Sequence, residues 1–183
     1  PEKNIRSTGS RVVNFNIDMD NASFIQLLGI NVDDFSSLRV TGELDEQKQT
    51  AVLQASSGKF KGYGISLDTI QTNLIALQDS IRARMNIQQL FYNSIPLGNL
   101  DFNILTQGDT AISNLLLAHD SITLLGLRTR ILPTDSGAFV YPDILQAFDN
   151  EYYADPKNPI FIGNNNLMFN HFQVSRDDMQ RNM

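Results

Sequence analysis

The groups able to do chemistry in this chain are few and scattered. His119 and His171 are the two histidines. His119 precedes Asp120 in a stretch that favours a turn, and His171 lies between Asn170 and Phe172 in a strand-like stretch. A two-histidine metal site needs both to converge with a carboxylate, and nothing in the spacing brings them together. Asp18, Asp20, Asn21, Asp33 and Asp34 are faintly similar to a calcium loop, but the Asp-x-Asx-x-Asx-Gly run with Glu at its twelfth position is missing. Carboxylates at turns more simply cap backbone N–H groups. No pair of them stands out as general acid and base. Serines are frequent, yet no Gly-x-Ser-x-Gly elbow occurs. The absence of cysteine removes disulfides, thiolate zinc sites and thiol nucleophiles. Gly58-Lys59-Phe60-Lys61-Gly62-Tyr63-Gly64 lacks the spacing of a phosphate loop and no helical pattern follows it, so its glycines read as a bulge or bend in a strand. The sequence therefore assigns no catalytic residue, no metal ligand and no cofactor.

Charge narrows the partners. Fourteen Lys and Arg against twenty Asp and Glu leave a net charge of −6, which opposes electrostatic binding to nucleic acid or to anionic lipid surfaces. Hydrophobic residues make up 42 % and charged residues 19 % of the 183, enough for a folded chain. No apolar run reaches the roughly 18 residues of a membrane-spanning helix. Residues 1–11 are polar, lack the apolar stretch of a secretory signal and are expected to form a tail. Residues 176–183 are expected to fray, leaving 12–175 as one β-rich domain.

The dominant period between those ends is two. Val13, Phe15 and Ile17 alternate with Asn14, Asn16 and Asp18. Leu38 and Val40, Ala51 and Leu53, Ile65 and Leu67, and Leu74 and Ala76 continue it. Ile81, Ala83, Met85 and Ile87 alternate with Arg82, Arg84 and Asn86. Leu100, Phe102 and Ile104 follow, then Leu125, Leu127 and Ile131, then Leu167 and Phe169. Strand side chains point to opposite faces in turn, so each segment has one apolar and one polar face. Turn-forming clusters separate the segments: Asp45-Glu46, Ser56-Ser57-Gly58, Gln78-Asp79-Ser80, Gln107-Gly108-Asp109, His119-Asp120-Ser121, Asp135-Ser136-Gly137 and Asn164-Asn165-Asn166. Their spacing of roughly 10 to 15 residues predicts a meander of long hairpins. Two stretches depart from the period. Phe24, Leu27 and Leu28 predict a short helix over residues 22–29, ended by Gly29. Pro142 with Ile144, Leu145 and Phe148 allows either a helix or an irregular loop over 141–153.

The fold expected is mainly β: long antiparallel amphipathic strands in a curled, elongated sheet, a taco-like groove or half-barrel, with one or two short helices. So little helix leaves too little to cover the apolar face. The sheet must close on itself, pack on a neighbour, or offer a groove to an apolar ligand. The candidate lining is Val13, Phe15, Ile17, Leu38, Val40, Leu53, Ile65, Leu67, Leu74, Ile81, Met85, Ile87, Leu100, Phe102, Ile104, Leu125, Leu127, Ile131 and Phe169. With no tryptophan, that lining suits acyl chains better than sugars.

The order of these features resembles the TamB/AsmA-like proteins of the Gram-negative envelope, in their Bacteroidetes form. The resemblance runs from about residue 12 to 175. It rests on the strand Val12–Met19 and on Phe24-Ile25-Gln26-Leu27-Leu28-Gly29-Ile30 with Asp33-Asp34-Phe35. Leu38-Arg39-Val40-Thr41-Gly42-Glu43-Leu44 is similar to the family's repeated Leu-x-Gly-x-Leu strand. Gly62-Tyr63-Gly64-Ile65-Ser66-Leu67-Asp68, Asp79-Ser80-Ile81 and Asp120-Ser121-Ile122-Thr123-Leu124-Leu125-Gly126-Leu127 fit the same order. So does Pro159-Ile160-Phe161-Ile162-Gly163 ahead of Leu167 to Val174. The resemblance implies a piece of a periplasmic β-groove whose parent is anchored in the inner membrane. It also implies a non-enzymatic part in moving phospholipid between membranes, or in assembling outer-membrane proteins with a partner there. Two other expectations stand beside it. One is a structural or adhesive β-module of the cell surface that binds protein or glycan. The other is a hydrolase, which would need His119 or His171 beside a carboxylate in one pocket.

Overall fold

Alternating Leu, Ile, Val and polar residues favour extended backbone, and two-residue turns fold successive strands back on one another. The computed structural model describes residues 11–20, 26, 32–163, 166–169, 171 and 173–176. Strands take up 78 % of them. In chain order these are β1 (Val12–Met19), β2 (Asp34–Phe35), β3 (Leu38–Asp45), β4 (Thr50–Gly62), β5 (Ile65–Leu77), β6 (Ser80–Tyr92), β7 (Ile95–Gln107), β8 (Thr110–His119), β9 (Ile122–Thr134), β10 (Gly137–Ala147), β11 (Asn150–Ala154), β12 (Ile160–Gly163), β13 (Leu167–Phe169) and β14 (Val174–Arg176). All fourteen belong to one antiparallel sheet that does not close. The order is β1-β3-β4-β5-β6-β7-β8-β9-β10-β11-β14, so from β3 to β11 each strand lies beside the next in sequence. β2 continues the line of β3 along β4, while β12 pairs with β10 and carries β13.

Turn chemistry sets the strand ends. Tyr63-Gly64, Asn93-Ser94, Asp120-Ser121 and Phe148-Asp149 each have positive φ at both central positions, the type I′ geometry that matches the strand twist. Asp45 shapes the longer β3–β4 connection, because its Oδ1 accepts the N–H of Gln47 and of Lys48, both at 3.0 Å.

Two expectations are corrected. Residues 141–153 form neither helix nor irregular loop: β10 runs through Tyr141 to Ala147 and turns at Phe148-Asp149 into β11. The helical spacing of Ile144, Leu145 and Phe148 arises because the β9–β10 register shifts between Pro142 and Ile144, a bulge that also accommodates the missing proline N–H. Ser56-Ser57-Gly58 is not a turn but lies inside β4, where Ser56 and Ser57 pair with Arg39 and Leu38 on one side and with Gln71 and Ile70 on the other. Ladders on both sides outweigh the local turn preference. The Gly58-to-Gly64 stretch ends in a hairpin turn at Tyr63-Gly64. The helix expected over residues 22–29 lies outside the described residues apart from Gln26, and Asn164 and Asn165 lie outside them too.

Little of the chain is shut away from water. Among the described residues only Val32, Ile87, Ala111 and Ala154 are buried hydrophobic residues, and no large side chain is fully buried. The accessible surface is 13071 Å², against about 8,800 Å² for a compact monomer of this mass. The sheet is a single layer.

Candidate functional site

Residues directly opposite in neighbouring strands share a face, so the register sorts the side chains into rows across the sheet. One row joins Ile17, Val40, Ala55, Thr72, Met85, Phe102, Leu115, Leu127 and Leu145. A second joins Phe15, Gly42, Leu53, Leu74, Ala83, Ile104, Ser113 and Thr129. A third carries Leu38, Ile70, Ile87, Leu100, Leu117 and Leu125. At the other margin lie Val13 and Leu44, then Ile81, then Ala111, Ile131, Val140, Ile160 and Phe169. These rows form one apolar face that crosses β1 and β3 to β10. That is roughly 38 Å at ~4.8 Å per strand. Neighbours within the sheet shield its middle, so Ile87 is 5 % exposed, whereas Phe15 and Ile17 at the β1 edge are 42 % and 46 % exposed. Two polar side chains within it pair with each other: Ser113 Oγ and Thr129 Oγ1 lie 2.6 Å apart.

The candidate residues thus fall together on this face, with two exceptions. Leu67 lies opposite Phe60 and Leu90, and Ile65 opposite Gly62 and Tyr92. They are odd numbers of residues from Leu74, and Thr69 between them has a positive φ of 53° that interrupts the strand. Ile65 and Leu67 therefore form a separate cluster with Phe60 and Leu90 beyond the ends of the main rows. Leu115 and Leu117 belong to the face and were not among the candidates. The run Leu115-Leu116-Leu117 hides the alternation that would have marked them.

The opposite face is polar. One of its rows joins Asn16, Thr41, Gln54, Asn73, Arg84, Asn103, Asn114 and Arg128. Asn114 Nδ2 donates to Asn103 Oδ1 at 2.9 Å. Arg39 Nε donates to Asp18 Oδ1 at 2.7 Å and Asn16 Nδ2 to Asp18 Oδ2 at 2.9 Å. The Arg39 hydrogen bond, foremost, holds the Asp18 carboxyl below its ordinary value. Arg84 and Asn86 both donate to Asp101 Oδ1, at 3.4 and 3.0 Å. An open hollow of about 740 Å³ lies on this side, lined by Arg39, Gln54, Gln71, Asn73, Arg84 and Asn86 among others. That hollow lies on the polar side of the strands, not the apolar one.

Among the described residues, the two histidines and the carboxylates do not gather into a cluster. His119 Nε2 lies 3.4 Å from Asp120 Oδ2 at the exposed β8–β9 turn. They border a hollow of about 250 Å³ whose other lining residues, Gln88, Gln89, Leu90, Phe91, Pro96, Gly98, Asn99 and Ala118, carry no hydroxyl. Among the described residues no three His, Asp or Glu side chains come together as a metal site. No model of a protein family, no curated protein and no solved structure matches the chain.

Proposed function

We propose that the chain is a non-enzymatic segment of an envelope protein that offers its apolar sheet face to the acyl chains of phospholipid. The rows of Leu, Ile, Val, Phe and Met across a single-layer sheet, which no other described strand covers, carry this reading. Contiguous apolar surface on this scale marks a place where something apolar docks. Each CH₂ moved out of water is worth about 0.8 kcal/mol, so a fourteen-carbon chain gains on the order of 10 kcal/mol by lying on such a surface. No bond is made or broken, and the polar face keeps contact with water. The order of strand motifs that resembles TamB/AsmA-like proteins supports a periplasmic setting, beside adjoining segments of a longer parent. Its tasks there are phospholipid transport or outer-membrane protein assembly.

Protein purified without detergent should release phospholipid detectable by mass spectrometry. Phe102→Asp should lower the lipid recovered about tenfold or more, because the carboxylate lands between Met85 and Leu115 in the middle of the face. Asn103→Asp should leave it unchanged, because Asp keeps the acceptor for Asn114 and faces Arg84. Equal losses from both variants, or no lipid in the parent protein, would sink the proposal.

The polar hollow beside Arg39 and Arg84 favours a second reading, a structural or adhesive module that binds protein or glycan. Retention on a glycan array or by a protein partner, with no lipid uptake, would favour it over the first.

A further inference from the structure

Four arginines stand together on the polar face. Arg82 and Arg84 lie on β6, and Arg128 and Arg130 on β9. Arg82, Leu105, Ile112 and Arg130 stand opposite one another in one row. Arg84, Asn103, Asn114 and Arg128 form the next. The arginines thus frame a patch three strand spacings wide, about 14 Å in all. All four are exposed, while Leu105 and Ile112 between them are half-buried. Described strands flank the patch on both sides, so it lies well inside the sheet rather than at either margin.

Two of the four charges are met within the fold. Arg84 Nη2 donates to Asp101 Oδ1 at 3.4 Å. Arg130 Nε donates to Asp143 Oδ1 at 3.0 Å, and its guanidinium lies 5.4 Å from the centre of the Tyr141 ring. Arg82 and Arg128 make no ion pair or side-chain hydrogen bond with a described residue. A chain of net charge −6 therefore holds two uncompensated positive charges here. The amides are half used as well. Asn114 Nδ2 donates to Asn103 Oδ1, which leaves Asn103 Nδ2 as a donor and Asn114 Oδ1 as an acceptor on neighbouring strands.

These groups define a ligand. A guanidinium takes a carboxylate through two parallel hydrogen bonds. The arginines of each strand are two residues apart and can close on one carboxylate together. The two carboxylates must then stand about 14 Å apart, with something apolar between them to lie on Leu105 and Ile112. In an extended peptide, residues i, i+2 and i+4 point to one side, and four steps of ~3.4 Å cover that distance. The donor left on Asn103 and the acceptor left on Asn114 match the C=O and N–H of its backbone. Free phosphate and anionic glycan fit less well, because the row between Arg82 and Arg130 is apolar.

We infer that the arginine frame binds an extended acidic peptide, lying across β6 to β9 with Asp or Glu at positions i and i+4 and an apolar side chain at i+2. This narrows the protein-binding reading of the polar side and rests on it. The acyl-chain reading concerns the other face and is independent of it.

The probe is the fluorescein-labelled peptide Ser-Gly-Glu-Thr-Leu-Thr-Glu-Gly-Ser, titrated at low salt in a mild non-ionic detergent that covers the apolar face. Its anisotropy should rise with the parent protein. Arg82→Gln with Arg128→Gln should weaken binding about tenfold, the worth of two exposed ion pairs. Those side chains have no partner to lose, so the circular dichroism spectrum should stay the same. Gln in place of both Glu of the peptide should cost as much. Moving its second Glu back by one position should also weaken binding, since that carboxylate then points away from the sheet. Asn103→Asp puts a negative charge inside the frame and should weaken binding about threefold while lipid recovery is unchanged. Three outcomes would overturn the inference: no binding by the parent protein, binding that the arginine variant or the Gln peptide leaves intact, or equal competition by inorganic phosphate or polygalacturonate. Retention on a glycan array beside such a failure would leave the second reading standing in its glycan form.

Discussion

Gly98 sits where β7 departs from regular pairing with β6, between Leu90↔Gly98 and Phe91↔Pro96. Its φ of 96° is costly for any residue with a Cβ, and that Cβ would run into the Ala118 carbonyl. Gly98→Ala should therefore lower stability by roughly 1–3 kcal/mol in urea unfolding. An unchanged midpoint would show that β7 and β8 can separate there without loss. Gly42 makes a related allowance, since a Cβ would overlap the Phe15 ring that covers it. Such features explain which residues were legible in the sequence. Phe102 and Ile104 alternate cleanly with Asp101 and Asn103, and the register puts them in the apolar rows. Ile65 and Leu67 alternate equally cleanly, but Thr69 interrupts the strand before Leu74. Nothing in a threonine side chain announces a positive φ.

At the scale of strands and turns, Asp, Asn, Ser and Gly clusters located most of the reversals because those residues accept turn geometry locally. Tyr63-Gly64, Asn93-Ser94 and Phe148-Asp149 were missed: the first was read as a bulge or bend within a strand, the second lacks glycine, and Phe148 looked like the end of a helical stripe. Ser56-Ser57-Gly58 failed in the other direction, since pairing with β3 and β5 is a non-local effect. Three charge pairs lie at the β1–β4 end. Asp18 bonds Arg39 at 2.7 Å, Asp34 bonds Lys59 at 2.7 Å, and Asp45 bonds Lys48 at 2.9 Å. Those hydrogen bonds, foremost, hold all three carboxyls below their ordinary value of 3.8. A carboxyl depressed on folding stabilises the fold above its unfolded value, and that contribution is lost as pH falls through the folded value. From pH 5 to pH 2.5, amide protection relative to the intrinsic exchange rate at each pH should therefore fall in β1, β3 and β4 before β5. High salt should shrink the difference, because these pairs face water. Protection that falls uniformly across the strands, or that falls on raising the pH instead, would contradict this.

For the whole molecule, the decisive quantity is the surface left open. Scarcity of helix showed in the sequence that helices alone would not cover the apolar face, with closure of the sheet left open; the sheet is a single layer in which, among the described residues, no large side chain is fully buried. The direction of curvature was not legible. It depends on strand twist and on local breaks such as Thr69, Gly98 and the Pro142–Ile144 bulge, each set by several strands at once. That is why the hollow beside Arg39 and Arg84 had no counterpart in the sequence reading.

The strands β4 to β7 each have 13 residues and are joined by two-residue turns. A strand and its turn thus form a unit that can be copied or lost in pairs without disturbing what each neighbour presents. Excision of residues 80–109 would join β5 to β8 through the Gln78-Asp79 turn. Thr72 would then oppose Leu115 and Ile70 would oppose Leu117, still on the greasy side. That shortened chain should give an undiminished β-sheet dichroism per residue. Removing Asn103 alone should damage the fold more, since every later residue of β7 would turn to the wrong side. Length in this architecture is a freely adjustable dimension, and phase is not.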